Sequence, residues 1–222
     1  MAPTLYHRIS GGSLERLAAL SDGVFAIVMT LLVLEIRIPT EHPPHSQNPV
    51  WVSGALRSES LLWHRLGHIA PLLLVYLLSF LTLGIFWMGQ QTQLNHFDRG
   101  DRRLTWTYLL FLLAVTLMPF STSLLGAFIT YRLALGIYWL NLLLLGVLLY
   151  LSLDHAVRAG LLKTDVSADV IAAMRRRIVV YQLLYAFGAS LAIVNTYLSI
   201  GFLVLMQLNS VITPRFGWLD RF

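Results

Sequence analysis

Few side chains of this 222-residue sequence are spaced so that they could do chemistry together. His64 and His68 stand at i and i+4, a spacing at which two side chains on one helix face can bind a metal ion. Two ligands do not make a site, and no carboxylate or third histidine lies at the matching offset, so an interfacial helix end is the preferred interpretation. The Gly-x-Ser-x-Gly, His-Glu-x-x-His and Walker motifs are absent, as is any cysteine. The sequence therefore predicts no enzyme and no catalytic, metal or cofactor site.

A stripe of side chains in the first apolar run offers a different kind of site. Ile27, Thr30 or Leu31, and Leu34 recur at i, i+3 or i+4, and i+7, so they share one face of a helix. Copies of this helix around a symmetry axis would line a narrow apolar passage, and such constrictions can gate ion flow by dewetting. Any buried helix shows an apolar stripe at this spacing, so packing against neighbouring helices is the alternative.

Asp22 lies near the start of the same helix, within Ser21-Asp22-Gly23. Its offset from Ile27 corresponds to about 140° around the helix, so it does not share the face of the stripe. A carboxylate inside a membrane helix needs a polar partner, which predicts that Asp22 anchors one helix to another. The alternative is a cap at the helix start, where acidic residues are favourable.

The composition identifies the solvent in which these elements fold. Hydrophobic residues make up 57% of the chain and charged residues only 12%, and the mean hydropathy is +0.69. So few charges cannot cover a soluble globule of this size, which indicates a lipid bilayer. The net charge of +5 sits in short clusters between apolar runs and forms no basic stripe, so nucleic acid is not a predicted partner.

Uncharged runs predict six membrane spans in one all-α domain that covers residues 1–222. A helix needs about 20 mostly apolar residues to cross the hydrocarbon. The last uncharged run would be about 55 Å long as one helix, so it must fold back, and Asn195-Thr196 is the best polar break. The predicted spans are approximately 14–38, 69–91, 104–125, 132–153, 178–194 and 197–213.

The distribution of basic residues gives the predicted orientation. Of the 16 Lys and Arg residues, 12 fall on one side of this arrangement and 4 on the other. Loops rich in Lys and Arg stay in the cytoplasm, so both termini are predicted to be cytoplasmic.

Three segments of the chain resemble a known channel family. The segment Arg16-Leu-Ala-Ala-Leu-Ser-Asp-Gly-Val-Phe-Ala-Ile27, followed by Thr30-Leu-Leu-Val-Leu-Glu-Ile-Arg-Ile-Pro39, resembles the first-helix signature of the lysosomal potassium channel (transmembrane protein 175) family in its bacterial, single-repeat form. Leu117-Met-Pro-Phe-Ser-Thr122 is similar to the end of that family's third helix, and Trp87 falls where the second helix carries a tryptophan.

The resemblance implies a potassium-selective cation channel that assembles with itself as a homotetramer in the cell membrane of a prokaryote. Its pore would be lined by the first helix of each subunit, with no carbonyl filter and potassium as the permeant ion. By position, Ile27 would form the narrowest ring, Thr30 or Leu31 the next, and Leu34 the outer end.

The same resemblance assigns Arg16, Ser21 and Asp22 to a structural network at the inner end of the pore. The partners of this network stay open from sequence, because four positions differ from the residues usual in the family. These positions are Leu20, Gln90, Gln91 and Thr107.

Two other functions remain as alternatives. A secondary transporter would need a site at the membrane midplane and usually broken helices, for which Gly84, Gly89 and Pro119 are the break candidates. A membrane scaffold that conducts nothing is the other.

Overall fold

The uncharged runs form helices because a backbone in lipid must satisfy its own hydrogen bonds. A computed structural model describes residues 14–36, 49–53, 57–67 and 69–212, and the regular structure of these residues is helical. Residues 37–38 and 213 of the predicted spans, His68 and both termini lie outside the described part. The helices are α1 (Leu14–Leu34), α2 (Arg57–Gly67), α3 (Ala70–His96), α4 (Arg102–Thr116), α5 (Met118–Ala127), α6 (Arg132–Arg158), α7 (Ala168–Ser190) and α8 (Thr196–Ile212), with a 3-10 turn at Leu191–Ile193.

Four stretches are long and apolar enough to cross a membrane: α1, α3, the combined α4 and α5, and α6. Helices α7 and α8 form a hairpin around the 3-10 turn. The first half of α7 carries Arg175-Arg176-Arg177, and α8 has only 17 residues, so neither resembles a long uninterrupted apolar span.

The predicted third span consists of two helices rather than one. Helix α4 ends at Thr116 and α5 begins at Met118, with Leu117 between them. Pro119 stands in the first turn of α5, where its missing N–H is tolerated, whereas inside a continuous helix its ring would clash with the preceding turn. Helix α3, by contrast, runs unbroken through Gly84 and Gly89.

The helices pack around one main apolar core. Helix α1 contacts α3, α4 and α5, while α6 contacts α4, α5 and α7, and α8 packs on α3 and α7. Large buried side chains fill the centre, among them Phe25 of α1, Phe86 of α3, Phe111 of α4 and Tyr138 of α6. Thus α1 packs on α3, α4 and α5, and the α7–α8 hairpin is attached through α3 and α6.

A chain of hydroxyl and amide groups crosses this core. Thr122 donates a hydrogen bond to Ser79 at 2.7 Å, and Ser79 donates to the Tyr138 hydroxyl at 3.3 Å. Gln207 donates to Thr82 at 2.6 Å, and Thr82 lies 3.2 Å from the same Tyr138 hydroxyl. These bonds connect α3, α5, α6 and α8, and they satisfy polar groups that would be costly to leave unpaired in lipid.

Candidate functional site

Helix α1 has one face packed against the other helices of the chain. Its buried residues repeat at three- and four-residue intervals, as expected for a single helical face. Phe25 packs against Phe111 of α4, with ring centroids 6.1 Å apart. Because this face is buried against the other helices, the remaining face of α1 is the exposed one. The members of the buried face are Leu17, Ser21, Phe25, Val28 and Leu32.

The stripe predicted from sequence lies on the opposite, exposed face. The exposed fractions are 61% for Ile27, 41% for Leu31 and 70% for Leu34, and Thr30 is exposed as well. Packing against the other described helices of the chain therefore does not account for this stripe. An apolar row of this kind on a membrane helix is available to lipid, to other copies of the chain or to an ion pathway.

The Thr30 hydroxyl is turned towards its own helix. It donates a hydrogen bond to the Ile27 carbonyl at 2.7 Å. The hydroxyl proton is thereby occupied, and the oxygen keeps acceptor capacity on the exposed face. The stripe thus presents one oxygen next to three aliphatic side chains.

Asp22 is bonded to α3 by two donors. The Trp87 indole N–H donates to Asp22 Oδ1 at 2.8 Å, and the Gln91 amide donates to the same oxygen at 2.6 Å. Hydrogen bonds to a carboxylate are stronger than bonds between neutral groups. The two bonds connect α1 to α3 at Asp22.

The neighbouring residue makes a second link between the same helices. Ser21 is buried and donates a hydrogen bond to Gln90 of α3. Arg16 and Leu20 are exposed. Arg16 lies about 9 Å from Asp22 along the helix axis, towards the start of α1, and Leu20 precedes Asp22 by two residues. The first half of α1 is therefore bonded to α3 through Ser21 and Asp22.

The partners on α3 were missed at the sequence level, although a signal existed. Trp87, Gln90 and Gln91 stand at i, i+3 and i+4, so they share one face of an otherwise apolar helix. Polar groups at such positions in a membrane need partners, and this face is where Ser21 and Asp22 arrive. Thr107 takes no visible part in this link, since its hydroxyl donates to the Arg103 carbonyl of its own helix at 3.0 Å.

The histidine pair can be followed only in part. His64 is exposed on α2, whereas His68 is outside the described residues. Within the described ranges, no three His, Asp or Glu side chains gather closely enough to hold a metal ion.

Charged side chains collect at the ends of α4, α6 and α7. Asp101 caps α4 by accepting from the Leu104 amide at 2.7 Å, and the His155 ring lies 2.8 Å from its other oxygen. Asp154 pairs with Arg158 at 2.7 Å and with Arg175 at 2.9 Å. Partial burial raises the pKa of Asp101, but the hydrogen bonds from Leu104 and His155 and the charges of His155 and Arg103 together lower it more, so its pKa lies below the usual 3.8.

Comparisons with known proteins match the segment that carries this site. The sequence model of the family described as "Endosomal/lysosomal potassium channel TMEM175" matches residues 16–119, which cover α1 from its third residue together with α2, α3 and α4. A protein named as a potassium channel in Streptomyces collinus is 30% identical over 190 residues, which cover 83% of this chain and 85% of the relative. Another named potassium channel, from Chamaesiphon minutus, is 29% identical over 84% of this chain and 87% of its own length.

A solved structure shows the same likeness. The crystal structure of a lysosomal potassium-selective channel TMEM175 homolog from Chamaesiphon minutus superposes with a TM-score of 0.65 and 25% identity. The match covers 90% of this chain and 96% of that one. The chain therefore belongs to the TMEM175 family and is a multi-pass membrane protein.

Proposed function

We propose that four copies of this chain form a potassium-selective channel with α1 of each subunit facing the central axis. The observation that carries this proposal is the exposed stripe of Ile27, Leu31 and Leu34 on a membrane helix whose other face is packed in the subunit. Potassium channels among the relatives support the choice of ion. The channel would lie in the prokaryotic cell membrane, with six spans and both termini in the cytoplasm.

The proposed pore discriminates ions without a carbonyl filter. A ring of Ile27 side chains offers no oxygen ligands, so an ion must pass with much of its hydration shell or be excluded. Selection at this ring would then depend on its diameter and on the energy of partial dehydration. Potassium holds its water less strongly than sodium does, which favours its passage through an aliphatic ring. The Thr30 oxygens, one turn away, would receive the ion after the constriction.

The network at the inner end has a positioning role in this mechanism. The radius of a ring built from four helices depends on the position and rotation of each helix. The bonds from Asp22 and Ser21 to α3 restrain both at one end of α1. Pore diameter at Ile27 would therefore depend on residues that do not line the constriction.

A liposome experiment with a polar substitution tests the function. Purified protein is reconstituted with a potassium gradient and an opposing sodium gradient, and the reversal potential is measured for the native chain and for Ile27→Asn. We expect fast flux that prefers potassium, and a shift of the reversal potential towards equal permeability in the variant, because the amide wets and widens the ring.

The matched control is Leu205→Asn, which puts the same amide at a site on α8 that is 69% exposed. It should keep the native reversal potential. An unchanged potential in Ile27→Asn would remove Ile27 from the constriction, and slow, saturable flux in the native protein would favour a transporter instead.

A further inference from the structure

A groove of about 330 Å³ lies between α6 and the end of α7, away from the candidate pore helix. Its α6 wall is a single helical face, since the lining residues of that helix repeat at i, i+3, i+4 and i+7. Its α7 wall consists largely of small side chains, which leave the space open. Six of the lining residues are Arg132, Gly136, Trp139, Ala186, Ala189 and Ile193.

The groove contains one polar group with an unmet hydrogen bond. The Trp139 indole nitrogen is buried and has no hydrogen-bond partner among the described residues. An unpaired N–H in an apolar environment is unfavourable, and a tryptophan that is largely surrounded usually finds an acceptor. Ser190 carries the hydroxyl among the small side chains opposite; it donates to the Phe187 carbonyl of its own helix at 2.6 Å and makes no bond to Trp139. The acceptor that the Trp139 N–H lacks would then come from the occupant.

A positive charge stands at the mouth of the groove. Arg132 is the first residue of α6, is exposed, and lines the groove two helical turns from Trp139. Trp139 follows Arg132 by seven residues on this wall, about 10 Å further along the helix axis. Along one wall the groove thus offers a guanidinium, then an N–H donor, and then an apolar channel.

We propose that this groove binds an anionic phospholipid of the surrounding membrane. The Arg132 guanidinium contacts the headgroup phosphate, the Trp139 N–H donates to an ester carbonyl, and one acyl chain fills the space beside the small residues of α7. The order of charge, donor and apolar surface is the order of groups in a phospholipid. The lipid-facing position of the groove rests on the proposed function, in which α1 faces the axis and α6 and α7 lie outside.

Native mass spectrometry of the full chain tests the site with two lipid probes. Phosphatidylglycerol and phosphatidylcholine with the same acyl chains are titrated separately into delipidated protein. We expect phosphatidylglycerol to bind about fivefold more tightly, the preference that one basic side chain gives for an anionic surface. Arg132→Gln should abolish this preference, and Trp139→Phe should weaken binding of both lipids about fivefold through the lost N–H.

A filling variant tests the groove itself. A Cβ at Gly136 would meet no described atom within 4 Å, so the side chain of Gly136→Leu starts in open space and extends into the groove that Gly136 lines. Leucine also favours helix more than glycine does, so the variant should fold. Gly201→Leu on α8 is the control, because Gly201 also has open space around it and does not line the groove. Gly136→Leu should lose the tightly bound lipid, and Gly201→Leu should retain it.

Several results would overturn the lipid assignment. Phosphatidylglycerol binding as tight in Gly136→Leu as in the native chain would do so, as would an unchanged lipid preference in Arg132→Gln. Displacement of the lipid by inorganic phosphate alone would show that only the phosphate is recognised. A lower number of copies in the Gly136→Leu assembly would make the groove a contact between copies. Potassium flux is measured on the same preparations. Flux without a groove lipid contradicts only the lipid site, and a groove lipid in a protein without flux contradicts only the proposed function.

Discussion

The link between Asp22 and Gln91 should be measurable as a coupling energy between α1 and α3. Asp22 Oδ1 accepts two hydrogen bonds, at 2.6 Å from Gln91 and at 2.8 Å from Trp87. A hydrogen bond to a charged group contributes about 1.5 to 3 kcal/mol, while bonds between membrane helices average about 0.6 kcal/mol with a maximum near 1.7. Asp22 is exposed in the isolated subunit, which lowers the expected value. We expect a coupling of about 1 kcal/mol between Asp22 and Gln91.

A double-mutant cycle measures this coupling. The free energy of unfolding is determined for the native chain, Asp22→Ala, Gln91→Ala and the double variant by titration with a denaturing detergent. Thr92→Ala is the matched control on α3, since the Thr92 hydroxyl donates to the Met88 carbonyl of its own helix at 2.8 Å. It should show no coupling with Asp22. If the losses for Asp22 and Gln91 add within about 0.3 kcal/mol, the two side chains are independent and the Gln91 bond does not anchor Asp22.

Two further predictions concern helix packing and acid stability. A methyl group at Gly188 would lie 2.5 Å from Leu203 Cδ2, so Gly188→Ala should lower the melting temperature through overpacking that costs roughly 1 to 3 kcal/mol. Gly201 has open space around it, so Gly201→Ala should raise the melting temperature, because alanine favours helix over glycine by up to about 1 kcal/mol. The pKa of Asp101 is depressed, so the stability it contributes is present above its usual pKa of 3.8 and is lost as the pH falls through the lower folded value. Between pH 6 and about 2, the melting temperature should therefore fall less steeply with decreasing pH in Asp101→Asn than in the native chain. Parallel curves of melting temperature against pH would exclude this contribution of Asp101.

The membership of the exposed stripe on α1 could be predicted from sequence because the helical repeat fixes which residues share a face. The stripe from Ile27 to Leu34 follows from spacing alone, and the structure leaves those side chains exposed. Whether other helices of the same chain cover an apolar stripe depends on how those helices are arranged. The spacing of residues within one helix carries no information about that arrangement. The family resemblance favoured a stripe that lines a pore over a stripe that packs against neighbouring helices.

The partners of Asp22 show where sequence reasoning stopped. The need for a polar partner follows from the cost of a carboxylate in lipid, but the choice among many polar groups depends on the relative height and rotation of α1 and α3. Gln90 and Gln91 differ from the residues usual in the family, yet Gln90 accepts a hydrogen bond from Ser21 and Gln91 donates one to Asp22. The break at Leu117 was similarly visible as Pro119, although the two helices there were predicted as one span.

The most direct test of the pore assignment uses the absence of cysteine in this chain. Single cysteines are placed at Ile27, at Leu34 and, as a control, at Leu205 on α8, and the native chain serves as the thiol-free reference. Each reconstituted protein is exposed to Ag⁺, a small cation that reacts with thiols, while potassium flux is recorded. We expect flux to stop in Ile27→Cys and Leu34→Cys and to continue in Leu205→Cys and the native chain. Continued flux through both α1 variants after complete thiol modification would contradict a pore lined by this helix.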